Sequence, residues 1–476
     1  EGERVSTEII FAPARELSER IHKKDVSARE VMDAHLAQIE KTNPRVNAIV
    51  SMLDPEVAIQ QAVDKDRDLA TGSKTGPLHG LPYAVKDLHD AAGFPTSNGS
   101  LLFAGTMAEK DALIVERARR AGAIVIGKTN VPEFGLGSHT YNRVFGPCHN
   151  PYDLSRSAGG SSGGAAAALA SGMLPLADGS DTGGSLRNPG NFNNVVGFRI
   201  SPGLVPTWPN SKPWLGLGVK GPMARTVDDC AFLLSVLAGP DPRDQLAYPS
   251  DPSQFLQPLE RDFKGVKVAW CPDLGGLPLD PRVRSTLEAQ RATFESLGCI
   301  VEDVAPDLSG AEECFQILRA ANMAEDERGL LNHAPGEVKP EAIWNIEYGK
   351  RLSAADFDRG MSMQQQIFER LRVFMKEYAF VLCAVNQVPP FPIEWDWPHE
   401  VDGVPMETYI SWMQSAYFIT VTRSPAISVP AGFTEDGLPV GIQIVGRFRD
   451  DLGVLQLSKA FESATEFWKI HPAIAQ

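Results

Sequence analysis

The chain has 476 residues, of which 43% are hydrophobic and 22% are charged, and its formal net charge is -15 at pH 7. These proportions are typical of a globular protein and argue against a disordered or fibrous chain. The acidic balance, without a cluster of Lys and Arg, argues against a nucleic-acid partner, because phosphate binding needs grouped basic side chains.

Membrane attachment and disulfide bonding are not expected either. The longest apolar run, AAAALASGMLPLA, is interrupted by Ser, Gly and Pro and is too short to cross a bilayer. The six cysteines lack the spacing of a zinc site or a disulfide framework, so we expect buried, reduced thiols in a cytoplasmic protein: Cys148, Cys230, Cys271, Cys299, Cys314 and Cys383.

The first elements predicted in the chain are helices. Apolar residues recur at intervals of three and four over residues 14–68, which predicts amphipathic helices, and Ser27 with Glu30 predicts a capping box. The segment GPLHGLPYAVKD then predicts a short apolar strand at 83–85 that ends at Lys86.

The rest of the chain alternates between helices and strands, which favours a large sheet covered by helices on both faces. One domain over residues 1–476 is expected, with a helical, variable substrate-pocket region at about 310–420. The predicted elements, in order, are a helix at 111–122, a strand at 123–126 with a polar loop GKTN, a helix in GAAAALASG, a strand at 265–271, a helix and a strand at 283–304, helices at 310–420 broken by the Pro-rich 388–398, and strands in SPAISVPAG and LPVGIQIVG.

Two of the three glycine-rich motifs are weak candidates for a site. GLGVKG fits a dinucleotide-binding pattern, but Pro and Trp precede it where a strand is required, so we interpret it as a chance match. GSSGG fits a nucleophile elbow with Ser162 as the nucleophile. That interpretation needs a later histidine, and the three that follow lie in segments expected to be surface or loop: His333, His399 and His471.

The third candidate joins Lys86, Ser161 in GGSSGG and Ser185 in GSDTGGS. Glycines beside a serine allow unusual backbone torsions and leave N–H groups free to point at an anion. Such a loop is suited to form an oxyanion hole. Each of these residues alone would more often be structural, and their joint occurrence is what favours a catalytic site.

On these motifs the chain resembles the amidase signature family of serine hydrolases. The resemblance covers nearly the whole chain and implies an α/β fold built on a large, twisted, mixed sheet. The blocks that carry it occur in family order: GPLHGLPYAVKD, GKTNVPEF, NPYD, GGSSGGAAAALA, GSDTGGSLRNP, GPMARTVDD, PAISVPAGF and GLPVGIQIVG.

The resemblance implies a role for each member of the third candidate. Ser185 matches the nucleophile, Ser161 the bridging serine that follows a cis peptide bond, and Lys86 the base. A lysine can act as a base only when it is neutral, which requires its removal from water. The apolar strand just before Lys86 is consistent with such burial.

The resemblance also implies the residues around the triad. The backbone N–H groups of Thr182, Gly183, Gly184 and Ser185 are the expected oxyanion donors. Supporting positions are Ser162 as a hydrogen-bond partner and Asp181 and Arg187 as braces of the loop, with loop-holding roles for Thr129, Asn130 and Glu133. No metal ion and no cofactor are expected.

Two features depart from the family pattern. Asparagines follow the signature where many relatives have small residues, and Ser424 stands where glycine is common. The asparagines are Asn191, Asn193 and Asn194. Four tryptophans suggest either an aromatic entrance to the site or ordinary packing: Trp344, Trp395, Trp397 and Trp412.

The expected activity is hydrolysis of small neutral aryl or alkyl amides, extending to carbamates (urethanes) and with an esterase side activity, by a monomer or homodimer. Two alternatives stay open. The chain could be the glutaminase subunit of a tRNA-dependent amidotransferase, which requires protein partners, or a non-catalytic scaffold that keeps the fold.

Overall fold

A single sheet of eleven strands lies at the centre of the computed structural model, which describes residues 8–326 and 328–476. Two further strands, β10 and β11, pair separately. The strands are β1 (Ile49–Val50), β2 (Pro82–Lys86), β3 (Ile124–Thr129), β4 (Leu176–Asp181), β5 (Val196–Arg199), β6 (Val219–Ala224), β7 (Lys267–Trp270), β8 (Ile300–Asp303), β9 (Phe380–Ala384), β10 (Glu400–Val401), β11 (Val404–Pro405), β12 (Ala426–Phe433) and β13 (Pro439–Val445).

Helices connect most of these strands. The α-helices are α1 (Ala14–Lys23), α2 (Ala28–Val46), α3 (Pro55–Ala70), α4 (Leu113–Arg120), α5 (Gly163–Ala170), α6 (Arg187–Phe192), α7 (Val227–Leu237), α8 (Pro281–Glu288), α9 (Arg291–Ser296), α10 (Ala311–Met323), α11 (Pro340–Arg351), α12 (Ala354–Phe374), α13 (Gln414–Val421) and α14 (Asp451–Thr465). Short 3-10 helices lie at Glu133–Gly135, Pro213–Leu215, Pro252–Leu256, Leu330–Asn332, Ser411–Met413, Phe467–Lys469 and Ala473–Ala475.

The strand order of the sheet is β1-β3-β2-β4-β6-β5-β12-β13-β9-β7-β8. Strand β2 pairs parallel with both β3 and β4, and β7 pairs parallel with both β8 and β9. The other ladders of the sheet are antiparallel. The sheet is therefore mixed, which confirms the predicted fold class.

Both faces of the sheet are covered, as β9 shows. Phe380 and Leu382 belong to one hydrophobic core, which also contains apolar residues of α7 and α14. Val381 and Cys383 belong to a second core with residues of α10, α12 and α13. Because side chains alternate along a strand, these two cores lie on opposite faces.

Three predicted elements differ from the structure. The region 310–420 contains a central strand, β9, because the short apolar run FVLCA has no periodicity that separates a buried strand from a helix. The helix predicted within 283–304 is divided into α8 and α9, with no Gly or Pro at the break. The expected loop GKTN instead continues β3 through Thr129.

The other early expectations agree with the structure. Ser27 and Glu30 form the capping box at the start of α2. All six cysteines are free and buried. Within the part of the chain that the structure describes, no helix combines the length and the apolar character needed to cross a membrane.

Candidate active site

Lys86 is the last residue of β2, and its side chain is completely buried. Its Nζ lies 2.8 Å from Ser161 Oγ, 2.8 Å from Ser162 Oγ and 2.9 Å from Ser180 Oγ. A protonated amine can donate hydrogen bonds to three hydroxyls, whereas a neutral amine donates to two and accepts a hydrogen bond from the third. The three hydroxyls therefore suit either form of Lys86.

The surroundings of Lys86 make its neutral form accessible. Burial lowers the pKa of Lys86 to about 7, against the attraction of Asp178 and Asp181, and Lys220 lowers it further. Tyr83, immediately upstream on β2, is buried as well. An ordinary lysine has a pKa near ~10.4 and is almost fully protonated at pH 7. The neutral form of Lys86 is therefore accessible near neutral pH.

Ser161 and Ser162 precede α5, whose residues are all buried. The Gly160–Ser161 peptide bond is cis, as the family resemblance implied. The small residues of α5 allow its close approach to β3: a Cβ on Gly164 would lie 2.2 Å from the Asn130 nitrogen. This close packing is what brings the two serines to Lys86.

Ser185 lies in the turn between β4 and α6, and its carbonyl oxygen accepts a hydrogen bond from the Ser162 amide at 3.2 Å. This bond places Ser185 next to the Lys86 cluster. Gly184, just before it, has φ +120, and a Cβ there would lie 2.5 Å from Asn188 Nδ2. Only glycine therefore fits this position.

Asp181 stabilises the turn that carries Ser185 through hydrogen bonds. Its carboxylate accepts the amide N–H groups of Gly184 at 3.0 Å and Leu186 at 3.1 Å. Arg187 donates to both carboxylate oxygens, at 3.0 and 2.9 Å, and Arg199 donates to one of them at 3.1 Å. Burial alone would raise the pKa of Asp181, but the two arginines hold it well below its usual range. Asp181 is therefore a permanent anion.

The hydrogen bonds of Asp181 remove Gly184 from the four expected oxyanion donors. Because the Gly184 amide donates to Asp181, it is not free to serve as an oxyanion donor. Across residues 8–326 and 328–476, no protein acceptor is found for the amide groups of Thr182, Gly183 and Ser185. These three remain available to bind a developing negative charge.

A cavity of ≈ 270 Å³ opens beside Ser185. Its wall comes from the 3-10 helix at Glu133–Gly135, the Ser185 turn, α10 with the residues after it, and the segment before α13. The described lining residues are Phe134, Gly135, Leu136, Gly137, Thr182, Gly183, Ser185, Phe315, Arg319, Asn322, Met323, Arg328, Leu330, Tyr409, Ile410 and Met413. A small, largely apolar cavity with few polar groups is typical of a small-molecule site.

Comparison with known proteins assigns the family. The model of the Amidase family matches residues 30–455, most of the chain. This chain belongs to the Amidase family. An acylamidase of Rhodococcus erythropolis is 35% identical over 463 residues, which cover 97% of this chain and 97% of the relative.

Two further proteins are similar to this chain over nearly its whole length. A subunit of the glutamyl-tRNA(Gln) amidotransferase of Carboxydothermus hydrogenoformans is 33% identical over 490 residues, covering 98% of this chain and 100% of the relative. The crystal structure of a bacterial aryl acylamidase belonging to the amidase signature (AS) enzymes has a TM-score of 0.89 and 26% identity, covering 97% of this chain and 99% of that one. The resemblance inferred from the motifs is confirmed.

Sequence motifs alone missed three polar residues of this Amidase-family site. Ser180 contacts Lys86 Nζ, and Asp178 Oδ1 lies 3.3 Å from the Lys86 amide nitrogen. His89 Nδ1 lies 2.5 Å from Asp178 Oδ2. Burial and the nearby Lys220 lower the pKa of His89 to about 4, so its neutral ring donates to Asp178. Alternation in LADGSD, which places residues 178 and 180 on one face of β4, was the available signal.

The nucleophile-elbow interpretation of Ser162 is wrong. Its Oγ is fully buried against Lys86 Nζ, which is the supporting contact that the resemblance implied. The histidines that this interpretation required lie elsewhere: His333 contacts Glu337, His399 contacts Asp396, and His471 stacks on Phe11.

Of the two alternatives for the four tryptophans, the structure favours ordinary packing, because none of them is among the described residues that line the cavity. Trp412 is fully buried against Phe192, and Trp395 is largely exposed. Aromatic lining comes instead from Phe134, Phe315 and Tyr409. Nothing in the spacing of the sequence separates these three rings from core positions.

The asparagines after the signature are structural. Asn191 accepts the Gly441 amide at 2.6 Å, Asn193 donates to the Ala158 and Pro189 carbonyls, and Asn194 donates to the Phe467 carbonyl. They fix α6 to neighbouring segments. Asn130 and Glu133 likewise bond to loops near the site. No group of three or more metal-binding side chains is found among the described residues.

Proposed function

We propose that this member of the Amidase family cleaves the C–N bond of small aryl or alkyl amides through an acyl-enzyme formed on Ser185. The single observation that carries the proposal is the buried Lys86 amine, which lies 2.8 Å from Ser161 Oγ beside the turn that bears Ser185. Ser185 lines the cavity, whereas Ser161 and Ser162 do not. This arrangement supplies a nucleophile, a proton relay and a base in sequence.

The first step transfers protons and forms one bond. Neutral Lys86 takes a proton from Ser161 as Ser161 takes one from Ser185, and Ser185 Oγ attacks the amide carbonyl carbon. The carbonyl oxygen becomes an oxyanion, and the free amide groups of Thr182, Gly183 and Ser185 donate to it. The positive charge gained by Lys86 balances the negative charge gained by the substrate.

The second step breaks the C–N bond. Protonated Lys86 returns its proton through Ser161 to the departing nitrogen, so that a neutral amine leaves rather than an amide anion. Water then attacks the Ser185 ester, losing its proton towards Lys86 and forming a second oxyanion. When this oxyanion collapses, Ser185 Oγ takes the proton back through Ser161, the acid is released, and Lys86 is neutral again. A carbamate can follow the same route, since loss of an amine leaves an alkoxycarbonyl group on Ser185.

The cavity supports small aryl or alkyl substrates. Its volume is ≈ 270 Å³, and Phe134, Phe315 and Tyr409 offer flat apolar faces. The names of the similar proteins, acylamidase and aryl acylamidase, agree with this class. Within the aryl or alkyl amides predicted from the sequence, we therefore propose amides of arylamines as the preferred substrates and carbamates as weaker ones.

The first test compares two substrates of the same arylamine. We expect the purified protein to release the amine from a short-chain anilide faster than from the matching carbamate. The alkoxy oxygen of the carbamate donates electron density to the carbonyl carbon, which reduces its reactivity towards Ser185. Amine release is followed by absorbance, and absence of release from both substrates contradicts the proposal.

The glutaminase alternative predicts a different product. Glutamine carries an α-ammonium group, which needs an acidic partner when it is removed from water. None of the described residues that line the cavity is acidic. We expect no ammonia release from glutamine in the same assay. Ammonia release without arylamine release would favour the amidotransferase role.

The pH dependence of activity follows from Lys86. Because only the neutral amine accepts a proton, kcat/KM should rise with pH and reach half its maximum near pH 7, where the pKa of Lys86 lies. Asp178 faces Lys86 and stabilises its protonated form, as does Asp181, while Lys220 opposes it. In Asp178→Asn the pKa of Lys86 should fall, and the rise in kcat/KM should move to lower pH.

The control for this test is Asp358→Asn, which removes an exposed carboxylate from α12. Asp358 is not among the charges that act on Lys86, and solvent screens it, so the midpoint should stay where it is in the unmodified protein. A midpoint that does not move in Asp178→Asn, or that moves upward, would show that Asp178 does not stabilise the protonated base.

A further inference from the structure

Arg319 of α10 lines the same cavity as Ser185, yet its side chain has almost no contact with solvent: the residue is 7% exposed. Two of its nitrogens have neutral partners. Nη1 donates to Tyr409 Oη at 3.2 Å, and Nη2 donates to Gln316 Oε1 at 2.7 Å. Its Nε is buried without a hydrogen-bond partner.

Among the described residues, the structure provides no counter-ion for this guanidinium. Throughout the described residues, no carboxylate lies within 4.0 Å of Arg319. Glu312, on the same helix, does not contact Arg319 directly: its carboxylate accepts hydrogen bonds from Gln316, Gln414 and Tyr417. Aromatic rings surround the charge, with centroids 5.3 Å (Phe315), 5.8 Å (Trp344) and 5.4 Å (Tyr409) from the Arg319 Cζ.

A buried cation without an anion is costly, and aromatic faces offset only part of that cost. None of the described residues that line the cavity is acidic, whereas Arg319 is one of them. The wall is therefore suited to an oxygen acceptor that enters with the substrate.

We propose that Arg319 forms a subsite for a second oxygen acceptor of the substrate, so that the preferred substrates are bifunctional. One carbonyl group reacts at Ser185, and a carboxylate or carbonyl oxygen at the other end of the acyl chain accepts from the Arg319 guanidinium. This inference rests on the proposed amide hydrolysis and adds the class of acyl group. Planar guanidinium donors suit both acceptors, and the charged one gives the stronger bond.

The test uses three anilides with acyl chains of equal length. One ends in a carboxylate, one in a primary amide and one in a methyl group. We expect kcat/KM for the carboxylate anilide to exceed that for the methyl anilide by roughly tenfold or more, the effect of a hydrogen bond to a charged group. A higher value for the primary amide than for the carboxylate would assign the subsite to a neutral carbonyl.

Arg319→Met removes the donors and keeps a long apolar side chain. The ratio of kcat/KM between the carboxylate and methyl anilides should fall to near one in this variant. Arg351→Met is the matched control, because Arg351 is an exposed arginine that lies 6.0 Å from the Tyr348 ring, and Arg351 does not line the described wall of the cavity. It should keep the ratio of the unmodified protein.

Inhibition of the unmodified protein gives a readout that does not depend on the folding of a variant. A dicarboxylate of matching length should inhibit anilide hydrolysis more strongly than the monocarboxylate. Equal kcat/KM for all three anilides, with equal inhibition by the two acids, would overturn the subsite and leave the amidase proposal intact. Absence of hydrolysis of every anilide would overturn both.

Discussion

Replacing Ser185 with alanine is expected to lower kcat for anilide hydrolysis by a factor on the order of 10⁶, to the rate left by binding alone. The Oγ atom is the proposed nucleophile, and no other hydroxyl of the Lys86 cluster lines the described wall of the cavity. Ser161 and Ser162 are buried behind the turn, with 2% and 0% exposure. They cannot replace Ser185 without movement of the backbone.

The measurement combines kinetics with covalent labelling. A serine-directed fluorophosphonate should modify the unmodified protein at Ser185 and leave Ser185→Ala unlabelled, which also excludes the scaffold alternative. Thermal unfolding of the variant should match that of the unmodified protein, because only a hydroxyl at the edge of a cavity is lost. Labelling of a different serine in the variant, with activity retained, would place the nucleophile elsewhere.

The second large effect is expected for Lys86→Met. Loss of a general base lowers kcat by about 10²- to 10⁴-fold, and here the same group also returns the proton to the leaving amine. Methionine is unbranched and adaptable, and it fills the space of the lysine chain without burying a charge. The fold should therefore persist, with Ser161, Ser162 and Ser180 left to bond to one another.

The pH profile separates a chemical role of Lys86 from a structural one. In Lys86→Met the remaining activity should no longer rise through pH 7, because the group with a pKa of about 7 is gone. Lys86→Arg is a useful companion, since a guanidinium stays protonated and cannot accept the relay proton. A rate close to that of the unmodified protein in either variant would contradict the assignment of the base.

The sequence predicted the candidate site better than its surroundings. Lys86, Ser161 and Ser185 were found because short motifs fix their residue types and order, and Asp181 and Arg187 belong to the same motif. Asp178 and His89 were not found, because their contact joins β4 to the segment after β2, and alternation within β4 does not show which residue Asp178 will meet.

The fold was predicted where periodicity was strong. The amphipathic helices and the terminal strands agree with the structure, whereas β9 was missed inside a region that looked helical. The cavity wall was the least predictable part. Phe315 and Tyr409 lie far apart in sequence, and only tertiary packing shows that they, rather than the tryptophans, line the cavity.

The hydrogen bonds of Arg187 determine how late in synthesis the Ser185 turn can be fully stabilised. Its Nη1 donates to the Ala416 carbonyl at 2.8 Å and to Gln443 Oε1 at 2.6 Å, and Nη2 donates to Thr420 Oγ1 at 3.0 Å. All three acceptors are made more than 200 residues after Ser185. During synthesis, the turn that carries Ser185 therefore lacks these bonds until β13 has left the ribosome. The full set of Arg187 bonds around the Ser185 turn thus requires synthesis of the chain through β13.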